Sequence, residues 1–253
     1  MTILISIAFF LLGIILGSFY NVVGYRLPRN QSLIKPRSHC PNCNHNLAPI
    51  ELIPIFSFLI QGGKCRKCKQ KISWFYTTFE FLTGILFVLS YMSFGFSINL
   101  VIALLFVSMA IIVIISDYQT FIISDEVLIF FSIAILIAIF FRGGINDFFN
   151  SSINGIISFI IMFIIKKIGD FIFKKESMGG GDIKLMFVLG VVLGFDTALI
   201  SIFLASIIGL PISIIILHYK HTNIIPFGPF LCVGALILLL YQINFIDILK
   251  IIS

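Results

Sequence analysis

The stretch Gly179-Gly180-Gly181-Asp182-Ile183-Lys184-Leu185-Met186 sets an acid behind three glycines at the head of an apolar run. Ionisable groups at membrane depth are costly, so they are rare and tend to be functional. Glycine permits close approaches that a side chain blocks. The run that follows, 183–195, is shorter than the roughly 20 residues a membrane span needs. Short segments interrupted by glycine often mark sites in membrane proteins. Outward from this stretch the whole chain has the same apolar character. Hydrophobic residues make up 59% of 253 and charged residues 11%, with a mean hydropathy of +1.13. No soluble domain of this length needs so little charge. The expected fold is an all-α polytopic membrane protein of about eight transmembrane helices. The spans are expected near 2–20, 75–94, 98–116, 122–141, 148–168, 183–195, 197–217 and 225–245.

The distribution of charge sets a topology. No Lys or Arg precedes the first run and no small-residue cleavage pattern follows it. It reads as a retained helix with its N-terminus outside. The inner loops are then 21–74, 117–121, 169–182 and 218–224. The first holds Arg26, Arg29, Lys35, Arg37, Lys64, Arg66, Lys67, Lys69 and Lys71. Lys166, Lys167, Lys174, Lys175 and Lys184 surround the third, and Lys220 lies in the fourth. Only Arg142 and Lys250, of 17 basic residues, fall outside. The positive-inside rule fits that orientation. The net charge of +6 is then a topology signal, a nucleic-acid footprint is the weaker reading, and no nucleic-acid partner is expected. Three parts follow: a first helix at 1–25, a polar loop domain at 26–73 and a seven-helix membrane domain at 74–253.

The loop contains Cys40-Pro41-Asn42-Cys43 and Cys65-Arg66-Lys67-Cys68. Each pair can turn both sulfurs toward one ion, and two such turns complete a tetrahedral four-cysteine zinc site. Two disulfides are the alternative, disfavoured for a loop facing a reducing cytoplasm. A closed four-thiolate site leaves no position for substrate, so the zinc would be structural. His39 and His45 read as solvated loop residues, since four cysteines suffice.

Asp117 ends the uncharged run from Leu100 to Ser116, and Asp182 begins the sixth span at the same face. Two acids from distant parts of the chain are thus expected at one depth. Each has a plainer reading: Asp117 as an interfacial acid, Asp182 as a helix cap. Two close carboxylates cannot both ionise cheaply, so one keeps a proton. The ionised one can take a proton from water and the other can donate to a carbonyl. Asp125 and Glu126 read as helix-start acids, with Asp125 also a candidate supporting acid. Glu80, inside the second span, is either a site residue or an interface acid bonded to a neighbour. Gly179, Gly180, Gly181 and Lys184 are expected along a substrate path.

Together these features resemble the type IV prepilin peptidases, membrane aspartic proteases of the GxGD kind. Four blocks carry the resemblance, in order along nearly the whole chain. They are Gly17-Ser18-Phe19-Tyr20-Asn21-Val22-Val23 with Arg26-Leu27-Pro28, the cysteine loop, Ile72-Ser73-Trp74-Phe75-Tyr76 through Glu80 and Gly84, and Met178 to Leu185. The resemblance implies catalytic roles for Asp117 and Asp182 and an active site facing the cytoplasm. It also implies a multi-pass place in the bacterial inner membrane among its lipid, with type IV prepilins or pilin-like precursors as partners. Many members also methylate the new N-terminus with S-adenosylmethionine, an activity associated with the N-terminal loop. This chain has Ser124 where the family usually has Pro, and Phe75-Tyr76-Thr77 where it usually has Arg-Tyr-Pro. The second departure bears on methylation and not on cleavage. Two other classes fit less well. A proton- or ion-coupled transporter is expected to carry inverted repeats, which this chain does not show. Other GxGD intramembrane proteases typically place Tyr before the first acid, and here Ser116 precedes Asp117.

Overall fold

The computed structural model describes residues 2–220 and 225–243. Among them the regular structure is helical, with two isolated β-bridges. The chain forms two compact units, Met1–Met92 and Ser93–Ser253.

The first unit contains α1 (Thr2–Arg26), a loop with a short helix α2 (Phe56–Ile60), and α3 (Trp74–Phe94). Gly13 and Gly17 lie four apart and so on one face of α1. A Cβ on Gly13 would lie 2.7 Å from the Cα of Gly84, and one on Gly17 would lie 3.0 Å from the Cα of Glu80. Helices in lipid gain little from the hydrophobic effect, and small residues let their backbones meet. Asn21 adds a bond across the pair, its Nδ2 donating to the Tyr76 carbonyl at 3.0 Å.

The second unit is built around α4 (Ile98–Thr120). Phe106, Met109, Ala110, Ile111 and Ile115 are fully enclosed. A helix apolar on all sides is a buried one. Next comes α5 (Asp125–Phe173), broken at Gly143 and Gly144. Gly144 sits at φ 73, a conformation that favours glycine. Arg142 bridges the break, its Nη2 lying 3.2 Å from Asp147 Oδ2. The spans expected near 122–141 and 148–168 are the two arms of this element. The second arm packs on α6 (Gly180–Leu193) through small residues. A Cβ on Gly155 would lie 2.6 Å from Val191 Cγ2, and one on Gly190 would overlap Ser158. Among the described residues α7 (Phe195–Lys220) and α8 (Gly228–Leu240) come last, and α8 packs on α4, α6 and α7.

Among the described residues, α1, α3, α4, α5 and α7 are long and apolar enough to cross a membrane. The most hydrophobic stretch of α4 is 67% buried, whereas those of α5 and α7 are 22% and 17% buried. The outer helices therefore present Ile- and Phe-rich faces for lipid, and α4 is a core element. At 14 and 13 residues, α6 and α8 are short. Asp117 lies inside the last turn of α4, since the helix runs on to Thr120. The turn into α6 is shorter than the expected 169–182, because α5 runs to Phe173. Residues 221–224 of the fourth expected inner loop, the end of the eighth expected span and Lys250 lie outside the described residues.

Candidate active site

Phe121 ends α4 in the left-handed region, its N–H bonded to the Asp117 carbonyl. That closure fixes Asp117 one turn from the helix end. Asp182 is the third residue of α6, behind Gly179 at the N-cap. Asp117 and Asp182 are 5% and 8% exposed, and so removed from solvent. The Gly179 amide faces the Asp182 carboxylate, satisfying one donor of the helix start. The Gly228 amide, at the start of α8, faces the Asp117 carboxylate. Gly228 also locates the two acids together. A Cβ there would lie 2.6 Å from Asp117 Oδ2 and 3.4 Å from Asp182 Oδ1. Both carboxylates therefore border the small space above one glycine. Gly228 carries no motif that sequence reasoning singled out for chemistry. The Pro226-Phe227-Gly228-Pro229 run marks only a helix start.

The three glycines before Asp182 differ in kind, and none of them has a positive φ. A Cβ on Gly180 would meet nothing within 4 Å, and one on Gly179 would meet only Asp182 Oδ2 at 3.6 Å. A Cβ on Gly181 would lie 2.9 Å from Ile123 Cβ. Ile123 also reaches toward Gly228, its Cδ1 3.1 Å from the Cβ position there. The expected result is that Gly180→Ala keeps near-normal kcat but raises KM, because its methyl enters the open space along the expected substrate path. Gly181→Ala, which pushes α6 off Ile123, should lose about 100-fold, the cost of misplacing reacting groups by about 1 Å. Measuring kcat and KM for both variants at matched thermal stability checks this.

Lys184 and Asp125 meet one another. Lys184 Nζ lies 2.7 and 2.6 Å from the two Asp125 oxygens, with both side chains about half exposed. An exposed pair of this kind contributes about 0–1 kcal/mol. Glu80 lies in the first unit, where its Oε2 accepts from the Ile55 N–H at 2.8 Å. Ile55 has φ 62, rare for a β-branched residue, so Glu80 holds a strained turn of the loop.

The four loop cysteines converge. Their sulfurs all lie within 4.8 Å of one another, with Cys40 to Cys68 at 3.8 Å and Cys43 to Cys65 at 3.9 Å. Zn–S bonds of about 2.3 Å in a tetrahedron set sulfurs about 3.8 Å apart, whereas a disulfide needs about 2.05 Å. The same turn occurs twice. Asn44 and Lys69, each following a Cys pair, adopt positive φ and donate N–H to the carbonyls of Cys40 and Cys65. The bridges His39 to Asn46 and Lys64 to Lys71 close the two turns. The Gln70 amide and the Asn42 side chain hold the Cys68 thiol down to about 6. The Cys43 and Asn42 amides lower Cys40. The His45 amide also lowers Cys43, but burial and the other sulfurs outweigh it and push Cys43 up to about 11. The amides thus favour the thiolate at Cys68 and Cys40, and the four sulfurs together form a donor set that could hold a metal ion.

His45 has a partner that its sequence position did not reveal. Its Nε2 lies 3.2 Å from Glu51 Oε2, which also accepts from the Ala48 N–H at 2.8 Å. Those contacts, with Arg66 nearby, hold Glu51 below the usual carboxylate range despite its burial. Its other oxygen, Oε1, is buried without a hydrogen bond.

Comparison with known proteins gives the family of the chain. Residues 104–214 match the model of the type IV leader peptidase family, and residues 11–94 that of the bacterial peptidase A24 N-terminal domain. The chain is 35% identical over 235 residues to the prepilin leader peptidase/N-methyltransferase of Bacillus subtilis, covering 92% of both proteins. The chain belongs to the type IV leader peptidase family. The prepilin leader peptidase/N-methyltransferases of Myxococcus xanthus and Pseudomonas aeruginosa are 34% and 30% identical to it. Those alignments cover 85% of this chain and 64% of the first relative, and 91% and 88% for the second. No solved structure matches the chain.

Proposed function

We propose that this chain is a membrane aspartic endopeptidase that removes the basic leader from type IV prepilins or pilin-like precursors. Family membership supports the class of reaction. The observation that carries the site is the meeting of two buried acids, Asp117 and Asp182, at Gly228. The ionised carboxylate of the pair takes a proton from water while the water oxygen attacks the scissile carbonyl carbon. The protonated carboxyl gives its proton to the carbonyl oxygen. The tetrahedral intermediate then collapses and the C–N bond breaks. The electron pair leaves with nitrogen, which takes a proton from one carboxyl of the dyad, while a hydroxyl of the intermediate returns its proton to the other carboxylate. The open space above Gly180 suits an extended substrate, with Gly179, Gly181 and Lys184 beside it. Asp125 keeps Lys184 in place.

The reading includes eight spans, counting both arms of α5 together with α6 and α8, with the N-terminus outside. The loop domain of 26–73 and the acids then face the cytoplasm, where a basic leader arrives ahead of a hydrophobic helix. Impermeant maleimide on sealed cells tests the orientation. A cysteine replacing Lys175 should stay unlabelled from outside and one replacing Ser97 should react; the reverse pattern sinks the orientation.

The metal is zinc, bound by Cys40, Cys43, Cys65 and Cys68, and its role is structural because four thiolates close the site. S-adenosylmethionine, the cofactor implied by the relatives' methyltransferase name, would supply a methyl group to the new N-terminus. A cavity of about 300 Å³ in the loop suits its parts. Lys64, Arg66 and Lys69 would meet its carboxylate, and Ile53 and Phe56 an adenine face.

A further inference from the structure

We propose that Gly228 is a positioning residue of the aspartate pair. Its amide holds the Asp117 carboxylate, and its missing side chain keeps open the room in which water and the scissile carbonyl meet. The inference rests on the peptidase reading and gives the start of α8 a role beside the two acids of α4 and α6.

Three observations converge on it. The first is crowding. A methyl at residue 228 would lie 2.6 Å from Asp117 Oδ2, 3.1 Å from Ile123 Cδ1 and 3.4 Å from Asp182 Oδ1. Real side-chain carbons essentially never approach an oxygen so closely, so the carboxylate would have to swing away. The second is polarity. The buried Asp117 carboxylate is faced by the Gly228 N–H. That amide belongs to the first turn of α8, where N–H groups lack partners within the helix and the helix dipole favours an anion. Pro229 follows, and proline suits a first turn because it gives up no needed donor there. The third is enclosure. Gly228 is buried, and Ile123 seals the same space from the side of Gly181. Gly228 itself has an ordinary backbone conformation, absent from the positive-φ positions. A turn requirement therefore does not account for glycine here; the space does.

Gly234 supplies the control. It lies on the same helix, and a Cβ there would meet the Ser201 carbonyl oxygen at 3.0 Å, away from the acids. The test compares wild type, Gly228→Ala and Gly234→Ala for precursor cleavage, reading kcat, KM and the pH profile. Wild-type cleavage comes first, and its failure would count against the peptidase reading and not against Gly228. Gly228→Ala should lose about 100-fold in kcat, as for a reacting group displaced by about 1 Å, with little change in KM. Its bell-shaped pH profile should narrow, because carboxylates moved apart share one proton over a smaller range. Gly234→Ala should keep both rate and profile. Equal losses in the two variants, a loss confined to KM, or an unchanged profile would overturn the proposal.

Should Gly228→Ala prove unstable, thermal stability decides the matter without activity. In an Asp117→Ala background the oxygen that the new methyl strikes is gone. The destabilisation by Gly228→Ala should then shrink markedly, a coupling read by a double-mutant cycle. Equal destabilisation in both backgrounds would contradict the contact.

Discussion

Asp117→Asn and Asp182→Asn should each abolish most precursor cleavage while leaving the protein folded. The two acids are buried and both border Gly228, and in the proposed mechanism each has its own duty, activating water or donating a proton. General acid–base steps contribute about 100- to 10,000-fold each, so either loss should fall in that range. Asn keeps the shape of Asp, and its side-chain carbonyl can still accept from the facing amide, so the fold should survive. Members of one catalytic unit do not add, and the double variant should be scarcely slower than either single one. Asp125→Asn provides the contrast. It breaks only the exposed pair with Lys184, worth about 0–1 kcal/mol, and should cost no more than about fivefold. A near-normal Asp117→Asn beside a dead Asp125→Asn would move the first acid to residue 125.

Removing the proposed zinc, or replacing Cys65 with Ser, should open the loop of the first unit and leave cleavage in place. Cys65 is 3% exposed, and among the described residues the loop has few large buried side chains besides Phe58 to hold it. Structural zinc in small peptides contributes about 10–16 kcal/mol of apparent folding energy at pH 7. Without it, the segment between the two Cys pairs should become a preferred site for added protease. The sign of the pH effect follows from the ligands. Thiolates bind metal and thiols do not, so the loop's stability is present at neutral pH and falls away as acid protonates the sulfurs. Elemental analysis of reduced protein should give one zinc per chain, and markedly less for Cys65→Ser. Zinc-free protein with an intact, protease-resistant loop would rule out a structural metal. Methylation should be lost in Cys40→Ser while cleavage persists, read as one missing methyl group on the product.

Much of this was legible in the sequence because the signals are local. A double CxxC names its own partners, and an acid behind glycines in an apolar run announces itself at any depth. The Gly17 and Gly84 positions stood in recognisable blocks, and their reason is the close crossing of α1 and α3. What escaped was tertiary. Gly228 acquires its meaning from Asp117, more than a hundred residues earlier, and a Pro-Phe-Gly-Pro turn carries no mark of such a neighbour. His45 looked solvated because nothing in its flanks points to Glu51, whose burial depends on the folded turn around Ala48. The three glycines before Asp182 look equivalent in sequence, and only packing against Ile123 separates Gly181 from Gly180. The apolar runs also divided α5 into two spans without showing that its two arms meet at one left-handed glycine.

At the centre of the proposed function, Asp117 and Asp182 hydrolyse a pilin-like precursor just ahead of its hydrophobic helix. The most direct measurement reconstitutes the full chain in lipid vesicles with pilin-like precursors of its own organism and sequences the product N-termini by mass spectrometry. Wild type should yield one new N-terminus at the junction between basic leader and apolar helix, and the Asp117→Asn, Asp182→Asn double variant should yield none. The same product from the double variant would contradict the assignment of the two acids.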